Sequence, residues 1–468
     1  MSDETELTSV LNQYDDLFPK TSDPDLQDLF LKIKIYLARC DGLIEDKKML
    51  FPKTKDMRPF DPMLVPKDKS LYEAIICRLR MIKKYGITNK QQILNLLSLF
   101  EFSEKIRGSE RKILETLLIH PDKKLKDIAS MLGVCPATIT YNLKKLKKKL
   151  GVRFCAFRNY ARFKLKYYVI FMEFDAVFEK MLSKVFNSSF LTSINIDTFS
   201  TGSKKWGWLG FLIPDQIRLK DEFRRNIIAL KDDVLDDVKI YEIKAVGQSW
   251  NLQRYDGREW FFPEDMWVYG LINFVEKYED VLPMPDLHFL EGRVMDFDRP
   301  DFLIFLYRGV EYRAPYQELT NFLRNYGFSL SLNAVRKRVL RLERHNVWKP
   351  YTYVEGLGLD DIIALNVVCD KHMREVLLKA ANEFPSCFII VHEKGVMLYI
   401  RLPHGYGEKF AFLFDSLREY VDDLLIIRRY KNIGSWVPWQ MYKFWDKRRK
   451  LWQVDKELLD FVSRFREL

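Results

Sequence analysis

The sequence predicts an α+β protein: a helical N-terminal region, then two tandem units, each a helix-turn-helix module followed by a β-α-β-β-α-β module. Three observations carry that prediction. The pair Ser249-Trp250 recurs 186 residues on as Ser435-Trp436. Helical periodicity breaks at Gly133 and again at Gly327 between two apolar helical stretches. Strand-like and helix-like runs alternate in one order twice, which is the ferredoxin-like pattern of two helices over one sheet.

Composition narrows the function. The 468 residues carry 76 Lys+Arg against 65 Asp+Glu, a formal net charge of +11, which asks for an acidic partner. At roughly 150 residues per domain, this length implies two to four domains with cores of their own. A 47% hydrophobic chain with only 20 Gly and 18 Pro is neither a disordered tail nor a fibre. The six cysteines form no Cys-x-x-Cys pair and the six histidines are scattered, so no zinc ribbon, other metal site or cofactor is expected. Reduced thiols, an acidic N-terminus without an apolar h-region and no run near ~18 apolar residues point to a cytoplasmic protein without a membrane partner.

The duplication extends beyond the Ser-Trp pair. Asp236-Asp237-Val238 and Asp422-Asp423-Leu424 precede the two pairs at the same offset, and Leu271-Ile272-Asn273-Phe274-Val275 resembles Leu458-Leu459-Asp460-Phe461-Val462 one residue out of register. The copies span roughly 105–283 and 297–468, joined at Pro283-Met284-Pro285.

In copy one, Ile113, Leu114, Leu117 and Leu118 recur at helical spacing after Ser109. Leu125, Ile128, Ala129 and Leu132 share a face, Gly133 breaks it, and from Pro136 a third helix turns Ile139, Leu143 and Leu146 inward. The second module follows as strand Leu165–Phe174, helix Asp175–Phe186, strands Phe190–Phe199 and Trp206–Ile213, helix Asp215–Leu230 and strand Asp237–Val246. Copy two repeats it from Ile362 to Tyr430, after a helix-turn-helix with Leu319, Phe322, Leu323, Gly327, Val335, Val339 and Leu342. The third helices lie 196 residues apart (139 to 335), so copy two has a shorter hinge or loop.

Charge concentrates on those third helices. Residues 138–153 hold Lys144, Lys145, Lys147, Lys148, Lys149 and Arg153 with no acid; residues 333–349 hold Arg336, Lys337, Arg338, Arg341, Arg344 and Lys349 against Glu343 alone. A lysine run on an arbitrary helix is usually a solvated face. Here it coincides twice with the helix that enters the major groove in such modules. Candidate DNA-binding residues are therefore Thr138, Thr140, Tyr141, Asn142, Lys144, Lys145 and Lys148 in copy one, and Asn333, Arg336, Lys337, Arg338 and Arg341 in copy two. Lysines position on phosphates; the polar N-terminal residues and arginines read base edges.

From Ser109 to Val152, with Arg111-Lys112-Ile113-Leu114, Asp127-Ile128-Ala129, Leu132-Gly133-Val134 and Pro136, the chain resembles the winged helix-turn-helix of the Lrp/AsnC regulators. The module after it resembles that family's effector and oligomerisation domain. The resemblance implies an intramolecular pseudo-dimer, and it implies a small-molecule effector near Thr201-Gly202, where the family carries a Thr-Gly loop; copy two has Glu393-Lys394-Gly395 there.

Aromatic clusters follow each copy: Trp250, Tyr255, Trp260, Phe261, Phe262 and Trp267, then Trp436, Trp439, Tyr442, Phe444, Trp445 and Trp452. Stacking on unpaired bases, with phosphate contacts from Lys447-Arg448-Arg449-Lys450, is one use of them. Packing of a C-terminal helix is the commoner one. No phosphate-binding Gly-rich loop, His-x-x-x-His or Gly-x-Ser-x-Gly is present, and no enzyme is expected. The paired acids Asp236-Asp237 and Asp422-Asp423 read as turn residues.

The expected organisation is a helical region at 1–104, with helices at 26–38, 71–84 and 90–100, winged helix-turn-helix modules at 105–160 and 297–355, and ferredoxin-like modules with C-terminal helices at 161–283 and 356–468. The expected function is a sequence-specific DNA-binding transcription regulator. A scaffold or adaptor of the transcription machinery, gripping protein with the same modules, is the alternative. The expected partners are double-stranded DNA, the transcription machinery and a small-molecule effector, with the chain a monomeric pseudo-dimer or a higher homo-oligomer.

Overall fold

Leu26, Phe30, Ile33 and Leu37 recur at three- and four-residue steps and are all buried, which makes Pro24–Cys40 an amphipathic helix. The computed structural model describes residues 3–44, 67, 69–87, 93, 106, 108–186, 188–197, 204–257, 260, 283–354, 357–359, 361–403, 406–428, 430–435, 437–454 and 459–467. They divide into two compact units: residues 1–105 with the pieces 145–151 and 355–358, and the rest of the chain.

The first unit holds α1 (Asp3–Asn12), α2 (Pro24–Cys40) and α3 (Lys69–Lys84). Ile75, Leu79 and Ile82 of α3 share one buried cluster with Leu29, Ile33 and Tyr36 of α2. The helix expected at 90–100 lies outside the described residues apart from Ile93. No described helix is long and apolar enough to cross a membrane.

The second unit contains the duplication. Helices α4 (Gly108–Ile119), α5 (Leu125–Leu132) and α6 (Pro136–Leu150, whose last turns belong to the first unit) lead into β1 (Arg153–Arg158). Then come β2 (Leu165–Asp175), α7 (Ala176–Val185), β3 (Leu191–Asp197), β4 (Lys204–Pro214), α8 (Ile217–Asp233) and β5 (Asp237–Trp250). After β6 (Leu287–Phe289), copy two runs α9 (Arg299–Val310), α10 (Tyr316–Asn325), α11 (Leu332–Arg344), β7 (Trp348–Tyr353), β8 (Asp361–Val368), α12 (Lys371–Ala380), β9 (Ser386–His392), β10 (Gly395–Leu402), α13 (Gly407–Asp415) and β11 (Asp423–Arg428). It closes with β12 (Tyr430–Ser435), the hairpin β13 (Trp445–Asp446) and β14 (Leu451–Trp452), and α14 (Phe461–Arg466). Each copy opens its α/β module's first helix with an aspartate: Asp175 Oδ1 accepts from the Val177 and Phe178 amides, and Asp370 Oδ1 from the Met373 amide.

Both modules have the ferredoxin-like strand order, β5-β2-β4-β3 and β11-β8-β10-β9, and all pairs are antiparallel. They exchange their last strands. The first half of β5 pairs with β2, while Ile243 to Trp250 pairs with β9 of copy two; β12, which follows β11, pairs with β3 of copy one. Each extended strand thereby covers an edge that would otherwise expose unpaired amides and carbonyls. Ser249 and Ser435 both lie at the end of an exchanged segment, Ser249 opposite Cys387 and Ser435 opposite Ser193. Ser249 Oγ donates to the Ala381 carbonyl at 2.6 Å, fastening β5 to copy two.

One face of each sheet lies under its helices. Phe178, Leu182, Phe223 and Ile227 cover Ile170, Met172 and Phe211 in copy one; Val376, Leu377, Phe410 and Phe414 cover Leu365, Val367 and Leu398 in copy two. The opposite faces meet through Val169, Phe171, Trp208 and Tyr241 on one side and Ala364, Ile390, Met397 and Leu425 on the other. At about 1.5–3 kcal/mol for each fully buried large apolar side chain, this layer holds the two copies as one body.

Copy two is shorter inside its α/β module and not at a hinge. β8 begins 196 residues after β2 (361 against 165), as α11 does after α6, whereas β11 begins 186 after β5 (423 against 237). The difference falls in the turn between β9 and β10 and in the helix before β11.

Of the C-terminal aromatics, Trp445 and Trp452 are buried, with indole N–H groups donating to the Phe297 and Phe163 carbonyls at 3.2 and 2.7 Å. Trp439 packs on Tyr307 and Phe322. Phe461 of α14 packs on Phe186, Phe211 and Phe223, so this helix caps the helical layer of copy one and not the sheet of its own copy. These rings are core and are not free to stack on bases. In copy one, Tyr255 is buried against Trp260, and Phe261, Phe262 and Trp267 lie outside the described residues.

Candidate nucleic-acid interface

The first helix-turn-helix is built as its sequence reads. Ile113, Leu114, Leu117, Ile128, Ala129, Ile139 and Leu143 are buried, and Gly133 caps α5 in the left-handed region at φ +64°. A Cβ at Gly133 would meet nothing within 4 Å, so only the backbone requires glycine there. Gly133→Ala should cost roughly 1–2 kcal/mol, read as a lower thermal midpoint, and Gly133→Asn clearly less; equal losses for both would show that the turn does not depend on the left-handed conformation.

The buried side of α6 fixes what the other side presents. Thr138, Thr140, Tyr141 and Lys144 are exposed, Tyr141 at 60%. The Thr140 hydroxyl donates to the Pro136 carbonyl, and Thr138 Oγ1 lies 3.6 Å from Cys135 Sγ. Lys145 is half-buried, and the side chain of Lys148 lies outside the described residues. Asn142 departs from expectation: it is 9% exposed and its amide donates to the Thr138 carbonyl at 2.9 Å, one turn back. It braces the helix and is buried, unlike its exposed neighbour Tyr141.

In copy two, Ser331 caps α11 by accepting from the Ala334 amide, Gly327 turns the chain at φ +85°, and Val335, Val339 and Leu342 are fully buried. Asn333, Arg336, Lys337 and Arg344 point outward. Arg338 and Arg341 form ion pairs instead. Arg338 reaches Asp298 at 2.7 and 3.0 Å and Asp301 at 2.8 Å, and Arg341 pairs with Asp301 as well. Those two acids form the capping box of α9, each carboxylate accepting the other's amide, and Asp301 is 1% exposed. The expectation that Arg338 reads bases is thus corrected, since its guanidinium is bound to both acids; Arg341 keeps an exposed side chain but pairs with Asp301. Lys349 is likewise paired with Asp286, and Glu343 with Arg308. The outward cations of α11 reduce to Arg336, Lys337 and Arg344.

The strands after the recognition helices pair with each other, Arg153 opposite Tyr353 through Arg158 opposite Trp348. One ribbon is shared between the two helix-turn-helix modules, and the Arg313 guanidinium lies 3.7 Å from the Phe154 ring centroid beside it. Thr201 and Gly202, expected near an effector, lie outside the described residues.

Fold and surface define the class as a tandem helix-turn-helix protein with paired ferredoxin-like modules. No family model matches the chain, and no curated protein shows significant sequence similarity to it. Among solved structures, the siroheme decarboxylase NirDL is similar over 76% of this chain and 100% of its own, with TM-score 0.40 and 13% identity. The same enzyme in complex with an iron-uroporphyrin III analogue gives 75%, 99%, 0.39 and 13%. PH0061 covers 30% of this chain and 93% of its own, with TM-score 0.22 and 13% identity. The expectation that the chain is no enzyme is corrected by these neighbours: two of the structures it is similar to are of an enzyme, so a lack of catalytic motifs does not rule out catalysis. A likeness this distant transfers neither substrate nor reaction to this chain.

Proposed function

We propose that the chain is a DNA-binding transcription regulator whose two recognition helices, α6 and α11, engage double-stranded DNA from one intramolecular pseudo-dimer. The observation that carries this reading is the outward face of α6: Thr138, Thr140, Tyr141 and Lys144 stand together on a helix whose opposite side is buried in a helix-turn-helix core. On α11 the corresponding groups are Asn333, Arg336 and Lys337. Short polar side chains and an aromatic at the helix start suit base edges, and the cations suit phosphates. The two faces differ in residue type, so the preferred site is asymmetric.

Binding to duplexes selected from a random pool, followed by fluorescence anisotropy at several salt concentrations, tests the reading. The affinity should fall steeply with salt, each phosphate contact contributing about 0.9 to the log–log slope. Replacing Tyr141 and Lys144 together with Ala should weaken binding roughly tenfold or more. Salt-independent binding, or a double variant that binds like the parent, would favour protein contacts of a scaffold instead.

A further inference from the structure

We infer that the β13–β14 hairpin is a phosphate clamp for duplex DNA, placed beside the second recognition helix; this rests on the DNA-binding reading above. Its tip is Lys447-Arg448-Arg449-Lys450, all exposed and with no acid among them. The tip is held rigidly. Asp446 Oδ1 accepts from the amides of Arg448 and Arg449 at 2.8 and 3.1 Å, and its Oδ2 accepts from the Gln453 side chain at 2.8 Å. The hairpin stem is the buried cross-strand pair Trp445 and Trp452.

Two further features separate this tip from an ordinary surface loop. Lys450 has φ +50°, a left-handed position that a glycine would occupy at about 1–2 kcal/mol less cost. The tip also adjoins the second helix-turn-helix: Lys450 pairs with Asp296 at 3.3 Å, and Arg299 at the start of α9 donates to the Trp445 and Lys443 carbonyls. Arg338 of α11 grips Asp298, two residues from Asp296. The hairpin and the recognition helix thus hold the same three-residue stretch, Asp296 to Asp298. In a winged module a β-hairpin beside the recognition helix meets the DNA backbone, but the strand that follows α11 is taken up by pairing with β1. The Trp-anchored hairpin offers a second cationic turn, tied to the start of α9 through Asp296 and Arg299, with Lys447 and Arg448 making no ion pair among the described residues.

The test is the full-length triple variant Lys447→Ala, Arg448→Ala, Arg449→Ala, compared with the parent on the selected duplex. Its salt slope should be shallower by about 2, reflecting two to three lost phosphate contacts. Its sequence preference should be unchanged, because phosphate contacts carry no base information. The charge-conserving variant K447R/R448K/R449K should keep the parent slope, and tryptophan emission from Trp445 and Trp452 should be unaltered in both variants. A parent that binds duplex while the triple alanine variant keeps its slope would overturn the clamp and leave the reading of α6 and α11 intact. A parent that binds no duplex would overturn both.

Discussion

Arg338→Ala should destabilise the second helix-turn-helix by about 3–5 kcal/mol, although arginine 338 looks from sequence like one more cation on a basic helix. The guanidinium bridges Asp298 and Asp301, and Asp301 is 1% exposed at the start of α9. Removing one partner of a buried ion pair leaves the other charge in a low-dielectric setting without compensation, and that penalty exceeds the small net worth of the pair itself. Arg341, 42% exposed, remains beside Asp301 and softens the loss without cancelling it. Lysine at 338 should rescue little, since one ammonium cannot reproduce the forked contact to both acids. Arg336→Ala, two residues away on the outward face, is the control and should stay within about 0.5 kcal/mol of the parent. At roughly 2–4 °C per kcal/mol for a unit of this size, thermal unfolding followed by tryptophan fluorescence should show a midpoint about 10 °C lower for Arg338→Ala. Equal midpoints for the two variants would mean that the Asp298–Asp301 box is not what holds α9 against α11.

The contrast between Arg336 and Arg338 shows where the sequence was legible and where it was not. Periodicity located the recognition helices and their buried residues Ile139, Leu143, Val335 and Val339, because a 3.6-residue repeat is a local property. Charge counting could not separate the arginines that face solvent from those that face Asp298 and Asp301, because the acids lie some forty residues earlier in the chain. Asn142 is ambiguous in sequence for a related reason: its polarity suits a base edge as well as a helix brace, and its burial with its amide on the Thr138 carbonyl shows the brace. The exchange of β5 and β12 was invisible for a third reason. Strand pairing is non-local, and the residues of 247–250 read as the end of a strand or as a loop until β9 is seen beside them. Yet the serines of the recurring Ser-Trp pair stand at the ends of the two exchanged segments.

Because the two copies are joined strand to strand, groups buried near their junction should couple proton uptake to stability. His392, at the end of β9 opposite Ile243 of β5, is 1% exposed, its ring 4.3 Å from that of Tyr241. Burial first, then the nearby charges of Arg374 and Lys394, push its pKa down to about 4. Its Nδ1 accepts the Lys394 amide at 3.3 Å, so in the neutral ring the proton sits on Nε2. His288 on β6 is brought down to about 4 by burial, then by Lys349 and Arg162, against a smaller opposing effect of Asp286. An unfolded histidine takes up its proton near pH 6.5, whereas these two stay neutral in the fold until about pH 4. Below pH 6.5 the unfolded chain therefore binds more protons than the folded one. The stability is fully present above that pH and is lost as pH falls toward 4, by about 2 kcal/mol for each histidine between pH 7 and pH 5. Thermal midpoints at pH 7 and pH 5 should differ for the parent, and His392→Asn, which removes one titration and keeps a polar side chain, should shrink that difference measurably. A variant with the parent's full pH dependence would show that His392 is protonated as readily in the fold as outside it, and that the junction between the copies is open to water.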